Sequence, residues 1–592
     1  MHDLKKLLTL AANALPMGAG AGVASGLLAS YRHGYLQHGS TSLALQAIAS
    51  DAAVTMAATA AVVFLVAALS MTLHPWMNPT RRWVAIAALL LLVALIFVNP
   101  FSVLSPQVAR HFVTIAFLCA VALALLTTTG APTDSRWARR LAAAPVAAAL
   151  ILALGLGGTV HLLHRRAASE PKPNVVLIVV DTLRADHLGT YGYHRSTSPR
   201  LDQLVRQSTL FTRAYTQAPW TSPSVAALMT SRYPGELGYE SSRRPAVLQL
   251  RFQTLAEMLW EAGYETRAFV SHVFVARKLG FDQGFDRFSD EHGRGADYIS
   301  SPAVIADATR YLDQAREPFF LFVHLFDPHF SYIEHPGHRF GIPYSGWMKS
   351  GMSIQELLRR KETFRSDDLA HLLSVYDSEI SFTDEHIGLL LQALRARGLF
   401  DDSWIIVAAD HGEAFLDRSD LWIGHGRTLY NELLRVPLIV KRPGQQESRT
   451  IDSPVGLVDV LPTLARSIGL EVPGGTAGVT LPLDAGDEVG HEPVRPVFAE
   501  TKDRGRWLQA AILGDWKLIV DRETGDSELF DLRSDPGERK DLSSREVEME
   551  QALMHALDSW DASLSRKERT GSEDAGFSSE ELRNLKALGY LD

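Results

Sequence analysis

Five apolar stretches follow one another in the first 166 residues, and each is long enough to cross a bilayer as a helix, for which ~20 residues suffice. They run over about Leu7–Tyr31, Leu43–Leu73, Trp83–Leu104, Val113–Thr129 and Leu141–Leu163. Charged residues are almost absent inside them. A buried soluble helix explains one such run but not five in succession. A cleaved signal peptide does not fit either, because apolar segments continue after the first. Residues 1–166 therefore read as a transmembrane helical region. Lys5 and Lys6, then Arg81 and Arg82, then Arg136, Arg139 and Arg140 fall in loops on one side, against Arg32 and Arg110 on the other. The positive-inside rule puts the amino terminus in the cytoplasm. Five spans then carry everything after residue 166 to the outer side. The expected setting is the inner membrane of a bacterium, with the lipid bilayer as a partner and the larger part of the chain extracytoplasmic.

Beyond Ala167–Pro173, a short polar linker with two prolines, the composition becomes that of a globular protein. The net charge of -9 excludes the basic face expected of a nucleic-acid binder. The single cysteine, Cys119, lies in an apolar run, so no intramolecular disulfide can form. Asn174–Val180 (NVVLIVV), Pro318–Phe326 (PFFLFVHLF) and Ser403–Ala409 (SWIIVAA) are apolar on both faces and read as fully buried strands. Helical patterns such as Thr254–Ala262 and Asp368–Arg397 lie between them. This alternation predicts an α/β sheet, mostly parallel. In such sheets ligands bind beyond the carboxyl ends of the strands, and the three strands end at Asp181, Asp327 and Asp410. The domain is expected over 174–470. A smaller C-terminal α+β part over 471–592 is expected to hold short strands near Val497–Glu500 and Leu513–Val520 and to end in a charged tail.

Asp410-His411-Gly412-Glu413 follows the third strand. Carboxylate and imidazole side by side suit a divalent metal, and the glycine suits the turn that aims them. His425 stands between Gly424 and Gly426, where the backbone can approach a small anion. His329 follows Asp327-Pro328, while His324 inside the strand reads as a residue of the core or one supporting the site. In Ala218–Thr230 (APWTSPSVAALMT), Thr221, Ser222 and Ser224 bracket Pro223 ahead of an Ala-rich helix. These residues serve either as helix caps or as a hydroxyl nucleophile at a helix amino terminus that welcomes an anion.

In order and spacing, these elements resemble the sulfatase family of the alkaline phosphatase superfamily. The match runs from Asn174–Tyr193 (NVVLIVVDTLRADHLGTYGY) through Pro219–Pro234, Asp327–His329, Asp410–Glu413 and Gly424–Gly426 to Leu529–Asp541 (LFDLRSDPGERKD). The resemblance implies an alkaline-phosphatase-like α/β domain and a metal-dependent hydrolase of sulfate or phosphate esters in the envelope or extracellular space. Two departures stand out. The family's Cys/Ser-x-Pro-x-Arg motif, whose first residue becomes formylglycine, is Thr221-Ser222-Pro223-Ser224-Val225 here, so no formylglycine is expected. Thr182 follows Asp181 where many sulfatases carry a second acidic residue.

The mechanism implied has Asp181, Asp410 and His411 binding a divalent metal, with Thr221 completing the shell. Mn²⁺ or Zn²⁺ is preferred over Ca²⁺ because of the histidine. Thr221 attacks and forms a covalent intermediate. His329 and His425 contact the transferring group, protonate the leaving group or hold a second metal, and Arg184 is a further candidate. Two alternatives stay open: a phospho-group transferase acting on envelope lipid or glycan, and an inactive sulfatase-like binding module.

Overall fold

The computed structural model describes residues 172–565, apart from 240–245, 294–299, 342, 419–421, 484–494 and 504. The five expected spans and the tail from 566 lie outside the described residues. Among the described residues no helix is long and apolar enough to cross a membrane.

The strands of the main sheet are β1 (Asn174–Val180), β2 (Thr209–Tyr215), β3 (Glu265–Val270), β4 (Arg287–Ser289), β5 (Phe319–Leu325), β6 (Ser403–Ala409), β7 (Arg435–Lys441), β8 (Arg449–Ile451) and β9 (Val455–Gly456). Their order is β8-β2-β7-β6-β1-β5-β3-β4, with β9 also pairing β2. From β6 through β1, β5 and β3 to β4 all pairs are parallel. β7 runs antiparallel to both β6 and β2. The sheet is thus mixed, with its parallel half where the site is. Every residue of β1, β5 and β6 is buried. That is why these strands read as unbroken apolar runs without the alternation of a half-exposed strand.

The helices that matter for the site are α1 (Pro199–Val205), α2 (Thr221–Thr230), α3 (Leu255–Glu261), α4 (Ser301–Leu312), α5 (Ser366–Ala396) and α6 (Val460–Ser467). In α3, Thr254 caps the amino terminus: its side chain accepts from Glu257 N, and Glu257 reaches back to Thr254 N. The 31-residue α5 anchors the loop that follows β1. His187 Nδ1 lies 2.7 Å from Asp377 Oδ1, and Tyr193 and Arg195 donate to Asp377 Oδ2 at 2.8 and 2.6 Å. Tyr376 donates its hydroxyl hydrogen to Thr182 O at 2.7 Å and accepts from Arg184 N at 3.0 Å. The polar and aromatic spacing in ADHLGTYGYHR is therefore the footprint of one buried helix turn.

A second sheet is antiparallel, in the order β10 (Val497–Asp503), β11 (Arg506–Leu513), β12 (Trp516–Asp521) and β13 (Ser527–Asp531), and α7 (Val547–Ser565) packs on it. Buried beneath α7, Leu553, Leu557 and Leu564 meet Leu518, Val520 and Leu529.

Leu177 sits fully buried at the middle of β1, between β5 and β6. Leu177→Ala is expected to cost about 2–5 kcal/mol, the range for a cavity in a well-packed core. A urea titration of the full-length protein measures it. A shift under about 1 kcal/mol would mean that the core around β1 can collapse into the gap.

Candidate active site

Register builds the site. Val180 pairs with Ala409 on β6 and with Leu325 on β5. The next residues, Asp181 and Asp410, therefore leave the sheet side by side. Val270, the last residue of β3, pairs with His324 of β5, so the turn after β3 opens on the same edge and carries His272. Four adjacent parallel strands thus deliver Asp410 and His411, Asp181, His329 and His272 to one place. These five side chains and Thr221 are all at most 1% exposed.

The two aspartates differ in how they are held. Asp410 Oδ1 accepts from His411 N at 2.7 Å and from Thr182 N at 3.2 Å. Its Oδ2, like both oxygens of Asp181, is buried with no hydrogen-bond partner. His411 Nε2 faces these oxygens, 3.7 Å from Asp181 Oδ1 and 3.6 Å from Asp410 Oδ2. Burial, then the neighbouring Asp410 and Glu413 carboxyls, push the Asp181 carboxyl well above the usual range. Burial also raises Asp410 and carries Glu413 to about 8. Unpaired buried carboxylate oxygens are costly unless a cation compensates them. Three orphaned oxygens converging with an imidazole nitrogen have the donor chemistry to hold a divalent ion. Asp181, Asp410 and His411 lie near enough to one another to hold such an ion.

Thr221 is the first residue of α2, and Trp220 holds the cap position without a side-chain capping bond. Helix capping therefore does not explain the threonine. Its Oγ1 lies 3.3 Å from His411 Nε2. The two neighbouring hydroxyls are engaged elsewhere. Ser222 donates to Phe274 O at 2.7 Å, and Ser224 donates to Asp410 O at 2.6 Å while Thr216 Oγ1 stands 2.7 Å away. Of the three hydroxyls around Pro223, only that of Thr221 stands at the carboxylate centre.

His329 and His425 complete the ring of imidazoles. The His411 and His425 ring centroids are 4.4 Å apart, and those of His329 and His425 are 5.0 Å apart. Glu413 Oε1 lies 2.9 Å from His425 Nδ1, and Tyr332 donates to Glu413 Oε2 at 3.0 Å. Burial first, then the neighbouring imidazoles, hold His329 and His425 well below the ordinary histidine range. The glycines flanking His425 have φ values of 117° and 92°, which side chains avoid. Gly412 has a different reason from the turn expected: a Cβ there would stand 2.0 Å from Glu432 O.

Two sequence expectations need correction. Asp327, at the end of β5, is not at the carboxylate centre. Its Oδ2 accepts from the backbone N–H and hydroxyl groups of both Ser300 and Ser301, between 2.7 and 3.0 Å, so it caps α4. Arg184 does not reach into the site. It is committed to Asp186, to Asp417 and to Glu413 O. His324, read as a residue of the core or one supporting the site, is indeed buried within β5, with neither ring nitrogen hydrogen-bonded and its Nε2 4.0 Å from Asp410 Oδ2. The reading of the sequence passed over His272, whose Nε2 is 3.7 Å from Asp181 Oδ2. A polar Ser-His pair closing the apolar run of β3 was the available signal.

Strand order and a hydroxyl-plus-carboxylate centre at the carboxyl edge of the sheet define the class, a sulfatase-like ester hydrolase. The family model described as Sulfatase matches residues 173–470, half of the chain. The chain belongs to the sulfatase family. It is 29% identical over 341 residues to an ulvan-active sulfatase of Formosa agariphila, a match covering 53% of this chain and 65% of that protein, just under two thirds of its length. It is 24% identical to a delta 4,5-hexuronate-2-O-sulfatase of Bacteroides thetaiotaomicron, over 64% of this chain and 86% of that one. A solved 2-O GAG sulfatase superposes with a TM-score of 0.56 at 22% identity, over 67% of this chain and 92% of that one, and so shares the fold.

Asp410→Asn should abolish uptake of Mn²⁺ or Zn²⁺, measured as metal equivalents after dialysis. Its melting temperature without metal should hold or rise, because a buried like-charge contact is relieved. Asp327→Asn should show the reverse: metal uptake intact and stability lowered by about 1–2 kcal/mol, because hydrogen bonds to a carboxylate become weaker ones to an amide oxygen. Loss of metal in Asp327→Asn would contradict the assignment of these two aspartates.

Proposed function

We propose that this protein hydrolyses sulfate or phosphate esters through a covalent intermediate on Thr221. The observation that carries this reading is the position of Thr221 Oγ1, at the amino terminus of α2 and 3.3 Å from His411 Nε2, beside the paired carboxylates. A divalent ion held by Asp181, Asp410 and His411 supplies positive charge and lowers the proton affinity of a hydroxyl beside it. Thr221 Oγ1 forms a bond to sulfur or phosphorus as the bond to the leaving alcohol's oxygen breaks. The hydroxyl proton is given up and the leaving oxygen gains one, and the imidazoles of His329 and His425 are the groups placed to carry protons between them. The amino-terminal N–H groups of α2 face the charge that builds on the equatorial oxygens. Water then releases inorganic sulfate or phosphate and restores the hydroxyl.

Relatives described as acting on ulvan and on a 2-O-sulfated hexuronate support a sulfated polysaccharide as the substrate class. The threonine keeps phosphate esters open, because it cannot become formylglycine. The charge bias of the apolar amino-terminal segments supports a membrane-anchored enzyme that acts outside the cytoplasm.

Full-length protein loaded with Mn²⁺ or Zn²⁺ should cleave 4-nitrophenyl sulfate or 4-nitrophenyl phosphate. Thr221→Ala should lower kcat by about 10³-fold or more, as expected for loss of a nucleophile. Ser222→Ala and Ser224→Ala should keep a measurable fraction of activity. Full turnover in Thr221→Ala would sink the covalent reading, and the ratio of the two substrates decides between sulfate and phosphate.

A further inference from the structure

The connection from β5 to α5 does more than bring His329 to the centre. Past Tyr332, whose hydroxyl donates to Glu413, it makes a long excursion over residues 333–365 before α5 begins. The excursion folds back on its own start: Gly351 N donates to Tyr332 O at 2.7 Å, and Glu334 N donates to Ser350 Oγ at 2.8 Å. The short helix it contains, Ile354–Arg359, packs on the strand Ile423–Gly424, which runs directly into His425. The excursion is therefore a lobe at the rim of the centre, tied to both segments that carry the imidazoles of His329 and His425.

The lobe has the opposite sign to its protein. The chain carries a net charge of -9, yet residues 331–365 hold six lysines and arginines against three glutamates. Arg339 is paired with Glu334 at 3.1 Å, and Arg365 with Asp368 at 3.5 Å. Among the described residues, Arg359, Arg360 and Lys361 have no carboxylate within ion-pairing distance. Glu356 feels Arg359 and Arg360, but its carboxylate turns back to Ser353, accepting from the backbone N–H at 3.0 Å and from the hydroxyl at 2.8 Å. A helix carboxyl end favours a nearby cation, which accounts for charge here but not for its arrangement. The exposed Arg360 guanidinium lies over Trp347, its Cζ 4.8 Å from the ring centroid, and the Phe364 ring stands 5.4 Å from the same indole. An arginine stacked in this way has its plane fixed, and its edge N–H groups suit a bidentate oxyanion.

We propose that this lobe is a subsite for a second anionic group of the substrate, a sulfate or carboxylate on a sugar beyond the one being cleaved. Arg360 reads that group in a bidentate pair, and Arg359 and Lys361 add attraction that relieves their own mutual repulsion. The preferred substrate is then a multiply anionic saccharide, not an isolated ester. This rests on the reading of the protein as an ester hydrolase acting on a sulfated polysaccharide. The lobe abuts the two segments that deliver His329 and His425, so an anion bound there belongs to the molecule whose ester lies in the site. That placement favours a saccharide chain over a lipid surface.

The test uses purified full-length protein in detergent micelles, loaded with Mn²⁺. A fluorescently labelled heparin octasaccharide is titrated by anisotropy, in a Thr221→Ala background so that the probe is not consumed. Arg360→Ala should weaken its binding by about tenfold or more, as for loss of a charge-assisted bidentate pair. Arg360→Lys, which keeps the charge but loses the fork, should recover only part of that. Arg539→Ala, at an exposed arginine of the C-terminal turn, should bind as the parent does. With Thr221 intact, Arg360→Ala should keep the wild-type kcat and KM on whichever of 4-nitrophenyl sulfate and 4-nitrophenyl phosphate the wild type prefers, which also shows that the variant folds. An octasaccharide that does not bind, or that binds Arg360→Ala as well as the parent, would overturn the proposal. So would an equal loss in Arg539→Ala, which would reduce the effect to overall charge, or a matching loss of turnover on the small ester. Arg360-dependent binding to phosphatidylglycerol added to the micelles, with none to the octasaccharide, would make the lobe a lipid contact and overturn it too. Wild type that cleaves neither nitrophenyl ester, or cleaves one without Thr221, defeats the parent reading instead. Wild type that cleaves through Thr221 while Arg360 is dispensable for the octasaccharide defeats this inference alone.

Discussion

Two carboxylates that would repel each other are forced together by strand register, and the rest of the site answers that constraint. Asp181 and Asp410 follow residues paired on adjacent parallel strands, so neither can withdraw without breaking β1 from β6. Both are fully buried, and three of their four oxygens lack a hydrogen-bond partner. Among the described residues, the charged groups that act on Asp181 are the carboxyls of Asp410 and Glu413. The imidazoles of His272 and His411 stand 3.7 Å from the two Asp181 oxygens. Such a site is short of positive charge, and a divalent ion is the economical remedy.

Around this centre, charged groups that look functional turn out to be supports. Arg184, paired with Asp417, holds the backbone carbonyl of Glu413, Asp377 gathers the loop after β1, and Asp327 closes the start of α4. A second buried set, Asp327, His335 and Glu379, looks like a metal cluster by proximity alone. Its carboxylate oxygens are engaged with backbone N–H groups, serine hydroxyls and His335 Nε2, so it is a hydrogen-bond network. The contrast with Asp181 is instructive, because satisfied oxygens mark scaffolding and orphaned ones mark a place where something binds.

Much of this was legible in the sequence where burial is total. β1, β5 and β6 were readable within a residue because a strand covered on both faces must be apolar throughout. The aspartates ending β1 and β6 could be picked out for the same reason. Asp327 fooled the same rule, since a strand-end carboxylate can cap a distant helix as well as bind a ligand, and only the positions of Ser300 and Ser301 tell which. β2 and β3 were harder, because TLFTRAY and ETRAFV mix exposed and buried positions and lack a clear period. His272 was missed with β3, since its place depends on that strand pairing with β5. The residue pattern alone did not separate Thr221 from Ser222 and Ser224; only the family resemblance singled out Thr221. All three hydroxyls are buried, and what separates them is which long-range carbonyl or imidazole each one meets.

The parallel register of β1 against β6 also divides the site into a part that cannot drift and a part that can. Inserting or deleting one residue in either strand would turn an aspartate into the sheet and dismantle the centre. His272, His329 and His425 hang on connecting segments, which tolerate changes in length and sequence far better than strands do. Substrate preference can therefore be retuned by editing loops while the strand ends stay fixed. A protein engineer seeking a new ester specificity on this scaffold would leave the two aspartates alone and diversify the turns that hold the imidazoles.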